Sequence, residues 1–287
     1  MPEGHTLHAL ARRLERAFVG APVQASSPQG RFVEGAALLD GRVLCAASAW
    51  GKHLFAEFEA DAWLHVHLGL IGHFPVVPLP PEGSPPVRGQ VRLRLLGRTH
   101  VADLRGPNLC AVVAPEEVDA VMERLGPDPL RPAADPEQAW RRISRSSKPI
   151  AELLMDQAVV AGIGNVYRCE LLYRHRIDPY RPGREIRART WRALWEDMVM
   201  LLPLGVAFGQ ILTVEEQVTQ ALAEVAAGGV ERHTASLTGE SLGDFFERRF
   251  YVYRRAGEPC LVCGARIRTA PAAGRNLFWC GRCQRRR

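Results

Sequence analysis

The spacing of apolar residues predicts that the chain begins with an amphipathic helix. Apolar side chains recur at helical intervals from Leu7 to Phe18, and Gly20 stands where a glycine commonly ends a helix. The apolar stripe should pin this helix to a hydrophobic core. Pro2 and Glu3, which directly precede it, should therefore be held in fixed positions, although chain termini normally fray.

From residue 42 to residue 113 the pattern changes to short runs in which apolar and polar residues alternate. A proline-rich stretch, Pro78–Pro86, interrupts them. This alternation predicts an antiparallel β-sandwich or barrel. The clearest runs are His53–Glu59, Ala62–Leu68, Val91–Leu96, Thr99–Leu104 and Leu109–Val113.

Helical periodicity returns between residues 137 and 227, with turns at Gly162–Gly164 and Arg181–Gly183. The proline-rich stretch 126–136 before it indicates an interdomain linker. We therefore predict an α+β multidomain protein, which agrees with a length of 287 residues. Its parts are an N-terminal helix with an antiparallel β-sandwich (1–125), a helical domain (137–245) and a C-terminal module (246–287).

Positive charge is concentrated at the C-terminal end of the chain. The last 37 residues contain nine arginines and one glutamate, whereas acidic and basic side chains nearly balance elsewhere. Nucleic acid is the commonest partner of so concentrated a positive field. Lys52 and Lys148 are the only lysines among 37 basic residues, a bias that GC-rich coding or phosphate recognition can explain.

The sequence gives no indication of secretion or membrane insertion. Residues 1–20 are charged throughout and lack the apolar core of a signal peptide. The longest uncharged run, Met198–Val214, contains Pro203 and is shorter than the roughly 20 apolar residues that span a bilayer. We expect a soluble cytoplasmic protein, in which clustered cysteines hold metal more often than they form disulfides.

Four cysteines form two close pairs, Cys260 with Cys263 and Cys280 with Cys283, separated by sixteen residues. Four thiolates in this spacing can surround one Zn²⁺ tetrahedrally, and so small a module needs a metal because it cannot bury enough core. The alternative is reduced or disulfide-bonded cysteines. The remaining three, Cys45, Cys110 and Cys169, lie in apolar patterns and are predicted to be core residues.

Arg266–Asn276, between the two cysteine pairs, predicts a hairpin with Ala273-Gly274 at its turn. Arginine at the tip of a zinc-clamped hairpin is suited to probe phosphates or a minor groove. A solvated basic face is the plainer alternative.

Two further motifs carry candidate chemistry. Gly162-Ile163-Gly164-Asn165 precedes a predicted helix that Asn165 could cap. Free backbone N–H groups at a helix start favour a phosphate, although such a motif is also often only a tight turn.

At the N-terminus, methionine removal would leave Pro2 with a free secondary amine. An amine can attack a sugar C1′ and form an iminium ion, with Glu3 moving protons.

Taken together, Pro2-Glu3, Gly51-Lys52, residues 160–179 and the four-cysteine module resemble the formamidopyrimidine-DNA glycosylase / endonuclease VIII family in order and approximate spacing over essentially the whole chain. The segment 160–170 is similar to that family's helix–two-turn–helix. The resemblance implies a two-domain DNA clamp: a β-sandwich and a helical lobe that carries a zinc finger with one structural Zn²⁺, facing each other across a groove. The partner it implies is damaged DNA, which a cytoplasmic protein would meet near the nucleoid. The sequence gives no basis for an oligomer, so a monomer is the default expectation.

The resemblance also implies an activity and assigns residue roles. A damaged base would be flipped from the duplex and excised. Pro2 would form a Schiff base with the sugar, Glu3 would manage protons, and β,δ-elimination would cut the strand on both sides. Lys52 matches the catalytic lysine. Asn165 and Arg275 match phosphate-gripping positions, and Leu70 occupies a plausible insertion position.

The sequence departs from the family in two places. Thr6 stands where many members carry a second glutamate, so we expect part of the proton relay to be changed or absent. Asp103–Pro107 lacks the fuller arginine-and-phenylalanine pattern of oxidised-purine enzymes. The second departure favours the endonuclease VIII branch, which prefers oxidised pyrimidines.

Two other functions stay open: a damaged-DNA-binding protein of this fold without efficient catalysis, and a zinc-finger RNA-binding or transcription module.

Three features have both a functional and a plain interpretation. His65 and His67 alternate on one predicted strand, as a second metal site or as ordinary sheet residues. His5 could tune the Pro2 amine or touch a phosphate. The segment Glu231–Asp244 could be a loop over the flipped base or a passive linker.

Overall fold

The structure is a computed structural model that describes residues 2–228 and 245–285. The proposed loop Glu231–Asp244 lies outside the described residues. The chain divides into two compact units, which we call unit 1 (described residues 2–124) and unit 2 (described residues 125–228 and 245–285).

Unit 1 is a β-sandwich with a helix at its start. Two four-stranded antiparallel sheets run in the orders β1-β6-β7-β5 and β2-β3-β4-β8. The predicted helix and all five predicted runs are therefore present. The helices are α1 (Gly4–Phe18), α2 (Val33–Leu39) and α3 (Pro115–Arg124). The strands are β1 (Gln24–Ser26), β2 (Leu44–Trp50), β3 (His53–Phe58), β4 (Ala62–His67), β5 (Val76–Pro78), β6 (Leu93–Leu96), β7 (His100–Leu104) and β8 (Leu109–Val113).

The core of unit 1 explains why α1 is fixed. Leu7 and Leu14 are 1% and 0% exposed, and they belong to the same cluster as Leu54 and Leu64 of the sheet. The helix packs against β2 and β3. It ends at Phe18, and Gly20 follows with a φ of +81°, a conformation that glycine adopts without strain.

Unit 2 contains the predicted helices and the C-terminal module around one core. Trp191 and Tyr167 of the helical part share a buried cluster with Leu277 and Phe278 of the module. The helical and C-terminal parts are therefore one compact body. The helices are α4 (Pro136–Ile143), α5 (Ile150–Leu153), α6 (Asn165–Arg174), α7 (Ala188–Phe208) and α8 (Glu215–Ala226), with a short 3₁₀ turn at Gly183–Glu185. The hairpin strands are β9 (Ile267–Ala272) and β10 (Arg275–Cys280).

The stretch 126–136 begins inside unit 2, although its composition indicates a linker. Residues 125–129 are buried. Gly126 donates a backbone hydrogen bond to Gln157 O at 2.8 Å, and Ala161 donates one to Pro127 O at 3.1 Å. A Cβ at Gly126 would come within 2.4 Å of Val159 O, so this position requires glycine. No helix in the described part of the chain is long and apolar enough to cross a membrane.

Candidate active site

The start of α1 fixes the N-terminal candidate residues. Pro2 is half-buried, and Glu3 is 0% exposed and stands at the N-cap position with extended backbone (φ −124°, ψ −178°). The Glu3 carbonyl accepts a hydrogen bond from Thr6 N at 2.9 Å, while its carboxylate does not cap the helix. The residue that follows Pro2 is therefore a buried glutamate at the start of a helix that the core holds in place.

His5 lies beneath this start in an apolar setting. Its side chain is 4% exposed, and burial lowers its pKa from 6.5 to about 3. His5 Nε2 is 3.3 Å from Thr6 Oγ1. The imidazole is therefore neutral and buried, and a phosphate contact would require it to move.

Lys52 occupies a tight turn on the sheet that α1 covers. The turn Gly51-Lys52 joins β2 to β3, with Trp50 paired to His53. Gly51 has a φ of +57° at the first central position, where two-residue hairpins of one preferred type require glycine. Because α1 packs on both strands, Lys52 and Pro2 belong to the same compact unit.

Three histidines cluster next to Lys52. His53 Nδ1 lies 2.9 Å from His65 Nε2, and the ring centroids of His53 and His67 are 5.1 Å apart. Burial lowers the pKa of His53 to about 3 and that of His65 to about 4. Burial, and then the charge of Lys52, lowers the pKa of His67. The imidazoles are therefore neutral neighbours of the Lys52 ammonium.

The histidine cluster is not arranged as a metal site. Among the described residues, the four cysteines are the only group of three or more potential ligands that could hold a metal ion, with ligand atoms within 4.8 Å of one another. The ordinary-sheet interpretation of His65 and His67 is therefore the better one. His53 reaches them from the neighbouring strand β3, and no local sequence pattern points to it.

An exposed turn follows β4 and carries two large apolar side chains. Leu70 is 50% exposed and Ile71 is 82% exposed. Gly72 N donates to Leu68 O at 3.0 Å, and His73 pairs with Arg105, which closes the turn. Leu70 was identified from the sequence; Ile71, the more exposed of the two, was not.

Arg105 is part of an internal ion cluster. Arg94 binds Asp103 through two hydrogen bonds, Nε to Oδ1 at 2.7 Å and a second guanidinium nitrogen to Oδ2 at 2.9 Å. The Arg105 guanidinium donates to the same Oδ2 at 2.8 Å. Arg105 is thus held against unit 1 by Asp103.

In unit 2, the start of α6 holds the hairpin. Gly164, not Asn165, is the N-cap residue, so the predicted capping role of Asn165 is wrong. Asn165 is 4% exposed; its Nδ2 donates to Asn276 O at 2.9 Å, and its Oδ1 accepts from the Arg168 guanidinium. Arg168 also donates to Ala272 O at 3.2 Å. The Asn165 amide therefore bonds to the hairpin, whose turn lies next to the start of α6.

Arg275 lies at the tip of that hairpin. Ala273 and Gly274 form the predicted turn with φ values of 51° and 68°. Arg275 is exposed, and its guanidinium donates to Gly274 O at 2.9 Å. Arg268 is paired with Trp279, nearer the opposite end of the hairpin. The tip therefore presents a single arginine.

The four cysteines come together as their spacing predicts. The Sγ atoms of Cys260 and Cys283 are 3.9 Å apart, and those of Cys263 and Cys280 are 3.5 Å apart. A tetrahedral Zn²⁺ with Zn–S bonds of about 2.3 Å requires sulfur separations of about 3.8 Å, so these thiols fit zinc. Cys169 is buried and Cys110 half-buried, but Cys45 is exposed, so its prediction as a core residue is wrong.

Known protein families and relatives match the chain along nearly its full length. The formamidopyrimidine-DNA glycosylase N-terminal domain matches residues 1–108, the H2TH domain of the same enzyme residues 125–217, and a zinc finger found in FPG and IleRS residues 257–286. Endonuclease 8 1 of Mycobacterium tuberculosis is 52% identical over 285 residues, covering 99% of this chain and 100% of the relative. The chain belongs to the formamidopyrimidine-DNA glycosylase / endonuclease VIII family.

Other members of the family are more distant. Formamidopyrimidine-DNA glycosylase of Thermus thermophilus is 30% identical over 294 residues, covering 99% of this chain and 98% of the relative. The fold matches Lactococcus lactis Fpg in complex with DNA containing an abasic site, with a TM-score of 0.75, 21% identity and coverage of 99% and 100% of the two chains. The higher identity to an endonuclease 8 supports the endonuclease VIII branch, and the family's enzymes are DNA glycosylases with abasic-site lyase activity.

Proposed function

We propose that this protein is a bifunctional DNA glycosylase and abasic-site lyase of base excision repair that removes oxidised bases, with pyrimidines favoured. The observation that carries the proposal is the pairing of Pro2 with a fully buried Glu3 at the rigid start of α1, in a chain of this family. An amine and a carboxyl group held side by side are what imine chemistry on a sugar requires.

The proposed reaction uses the secondary amine that methionine removal leaves on Pro2. Its nitrogen lone pair forms a bond to sugar C1′ as the bond to the base breaks, and the departing base takes up a proton. An α-amine with a pKa near 8 is unprotonated in roughly a tenth of molecules at neutral pH, and the adjacent helix start raises that fraction. Glu3 donates and removes protons as the sugar ring opens to the iminium form.

Strand cleavage follows from the iminium ion. Removal of a C2′ proton expels the phosphate on the 3′ side, and a second elimination expels the 5′ phosphate, so the damaged nucleoside leaves a gap. Lys52, at the turn beside the neutral histidines, orients a phosphate or donates a proton. Hydrolysis of the iminium then returns a free Pro2.

The DNA contacts of the proposal lie on both units. On unit 1, Leu70 and Ile71 supply exposed apolar side chains that can fill the space left by a flipped nucleotide. On unit 2, the exposed Arg275 and the N–H groups at the start of α6 bind phosphates, with Asn165 supporting the hairpin. The enzyme acts as a monomer.

The four cysteines hold one Zn²⁺, whose role is structural. When bound by Cys260, Cys263, Cys280 and Cys283, zinc would tie the two turns of the finger together and would take no part in the reaction at Pro2. The hydroxyl of Tyr173, 3.1 Å from Cys260 Sγ, links the cluster to the end of α6. The zinc thereby fixes the hairpin that carries Arg275.

The preference for oxidised pyrimidines rests on two observations. The 52% identity is to an endonuclease 8, and Arg105 is bound to Asp103 instead of being free to enter the DNA. Excision from matched duplexes that contain either an oxidised pyrimidine or an oxidised purine tests this preference. Faster removal of the purine would contradict it.

Borohydride trapping tests the central proposal. Zinc-loaded protein with a verified Pro2 terminus is incubated with a duplex containing one abasic site, reduced, and digested. We expect a covalent adduct on the peptide that begins with Pro2. The control is protein extended by a few residues before Pro2, because an amide nitrogen is not nucleophilic; an adduct that persists there, or that maps to the Lys52 peptide, would contradict a proline nucleophile.

Thr6 supports a second candidate function, a damaged-DNA-binding protein without efficient catalysis. The Thr6 hydroxyl contacts His5 and offers no carboxylate where many members carry a glutamate. This alternative expects tight, selective binding of abasic duplex with neither trapping nor strand cleavage. The same preparation therefore distinguishes it from the enzyme.

A further inference from the structure

A cavity of about 380 Å³ on unit 2 has a strongly cationic lining. No carboxylate lines it among the residues that the structure describes. Arg176, Arg282 and Arg285 are exposed and Arg181 is half-buried. We call this cavity the arginine pocket. It is lined by Arg176, Arg181, Arg282, Arg285, Val262 and Cys283.

The arginine pocket is well separated from the hairpin tip. Asn165, at the start of α6, bonds to the hairpin end that carries Arg275, whereas Tyr173, near the end of α6, contacts the cysteine cluster. The ten residues of α6 span about 15 Å. The pocket lies at the cysteine end, so it is a different cationic surface from the one that Arg275 presents.

Hydrogen bonds from buried groups bring the arginines together. Gln284 is 3% exposed; its Oε1 accepts from Cys280 N at 2.9 Å, and its Nε2 donates to Ile177 O at 3.0 Å. This fastens the last turn, with Arg282 and Arg285, to the segment after α6. The main chain of Arg181 is fixed separately, because its carbonyl accepts from Ile150 N at 2.8 Å.

The position of Arg176 is costly to the fold. It follows the last turn of α6 with a φ of +54°, a conformation in which glycine is preferred. Its guanidinium lies over the Tyr173 ring, 5.1 Å from the centroid. The carboxylate of Asp178, two residues further along the chain, accepts a hydrogen bond from Tyr180 N at 3.0 Å. Backbone strain of this kind clusters at ligand-binding sites.

We propose that the arginine pocket binds a phosphate group, through several guanidinium N–H donors at once. The planar fork of arginine matches phosphate oxygens, and four of them can saturate a diphosphate or two adjacent strand phosphates. The phosphate comes from a nucleic-acid strand that extends beyond the lesion or from a free phosphate compound. Only the first source depends on the proposed DNA repair function.

The test compares two double variants of the full, zinc-loaded protein. The pocket variant is Arg282→Gln with Arg285→Gln, and the matched control is Arg187→Gln with Arg189→Gln. The control removes the same charge from exposed positions of unit 2 that do not line the pocket. Equal zinc content and equal unfolding midpoints establish that both variants are folded.

The first measurement is the affinity for lesion duplexes of about 10 and about 30 base pairs as a function of salt. If a strand phosphate occupies the pocket, the pocket variant loses affinity for the long duplex several-fold more than the control, and its salt slope falls by about 1 to 2. Affinity for the short duplex, and trapping at Pro2, stay at the level of the control. Trapping therefore reports separately on the proposed enzyme function.

The second measurement is calorimetric titration with inorganic pyrophosphate. If a free phosphate compound is the ligand, pyrophosphate binds to the wild-type and control proteins but binds at least ten-fold more weakly to the pocket variant, with no dependence on duplex length. Identical behaviour of the pocket and control variants in both measurements would overturn the proposal.

Discussion

The side-chain amide of Asn165 donates to the main-chain carbonyl of Asn276 at 2.9 Å, which joins the start of α6 to the hairpin residue next to Arg275. Both partners are within unit 2, so the start of α6 and the arginine are held together. In the proposed DNA complex we therefore expect Asn165 to act largely by positioning Arg275.

A double-mutant cycle measures this coupling. Arg275→Gln should weaken DNA binding by about 1 to 2 kcal/mol through the loss of a charge-assisted hydrogen bond. Asn165→Ala should weaken it by a similar amount, and the double variant by clearly less than the sum, because both changes remove the same contact. Binding is measured by fluorescence anisotropy on abasic duplex. Additive losses would show that Asn165 acts independently of the hairpin.

A buried carboxylate attaches the C-terminal module to α6. Glu170 is 0% exposed and accepts hydrogen bonds from the backbone N–H groups of Tyr251, Val252 and Tyr253 at 2.8, 2.8 and 2.9 Å, and from the Thr213 hydroxyl at 2.8 Å. Burial raises its pKa, while the donated hydrogen bonds act in the opposite direction.

Glu170→Gln should lower the free energy of unfolding of unit 2 by about 2 to 4 kcal/mol. An amide has one acceptor oxygen in place of two and turns an NH₂ group toward N–H donors. Denaturant unfolding measures the loss, with the exposed Glu196→Gln as control. A Glu170 variant as stable as the control would show that the carboxylate is not what holds residues 251–253.

The strand pattern and cysteine spacing predicted the fold well because both depend on short-range periodicity. The features that were missed depend on strand pairing. Leu54 pairs with Val66, which places His53 beside the histidines of β4, and no local pattern contains that register. Cys45 is exposed because a bulge between Leu44 and Ala46 makes it the extra residue of β2.

The candidate site was predictable where residue chemistry is unusual and less so where position alone matters. Pro2, Lys52 and the cysteines stand out in the sequence by residue type and spacing. Ile71 is an ordinary apolar residue that becomes notable only because the turn leaves it exposed. The prolines in 126–136 indicated a linker. Proline also suits a segment that packs against other residues, as this one does against residues 157–161.

The two lysines provide a matched test of catalysis. Lys52→Gln should lower strand cleavage by about 10² to 10⁴-fold, as expected for loss of a positioned acid or phosphate contact. Lys148→Gln removes the same group from an exposed site and should leave cleavage unchanged. Single-turnover cleavage of an abasic duplex is the measurement. Equal rates for the two variants would remove Lys52 from the mechanism.

Buried histidines should make unit 1 sensitive to acid. The folded protein lowers the pKa of His53 from 6.5 to about 3 and that of His65 from 6.5 to about 4, so the unfolded chain binds protons that the folded one does not. Stability is therefore full above pH 6.5 and lost as the pH falls toward 4. The slope is at most about 1.4 kcal/mol per pH unit for each proton.

Denaturant unfolding at a series of pH values checks this prediction. His53→Gln with His65→Gln should flatten the slope between pH 6.5 and pH 4, whatever its effect on absolute stability. Ordinary carboxylates, with pKa values of about 3.9 for Asp and 4.3 for Glu, titrate at the acid end of this window, so the comparison with the wild type above about pH 5 isolates the histidines. A variant with an unchanged slope would place the proton uptake elsewhere.

Ile71, 82% exposed beside Leu70 at 50%, should contribute to lesion recognition through insertion into the base stack. Ile71→Ala leaves the turn intact, because its closing bonds are between backbone groups. We expect excision of a damaged base from duplex to slow by about ten-fold, since filling the vacated space offsets an unstacking cost of a few kcal/mol. Cleavage of a single-stranded abasic substrate, which has no stack to open, should change little.

The exposed Val33→Ala of α2 serves as control for loss of surface apolar area. An equal effect on both substrates would mean that Ile71 supports the fold or the chemistry and not insertion.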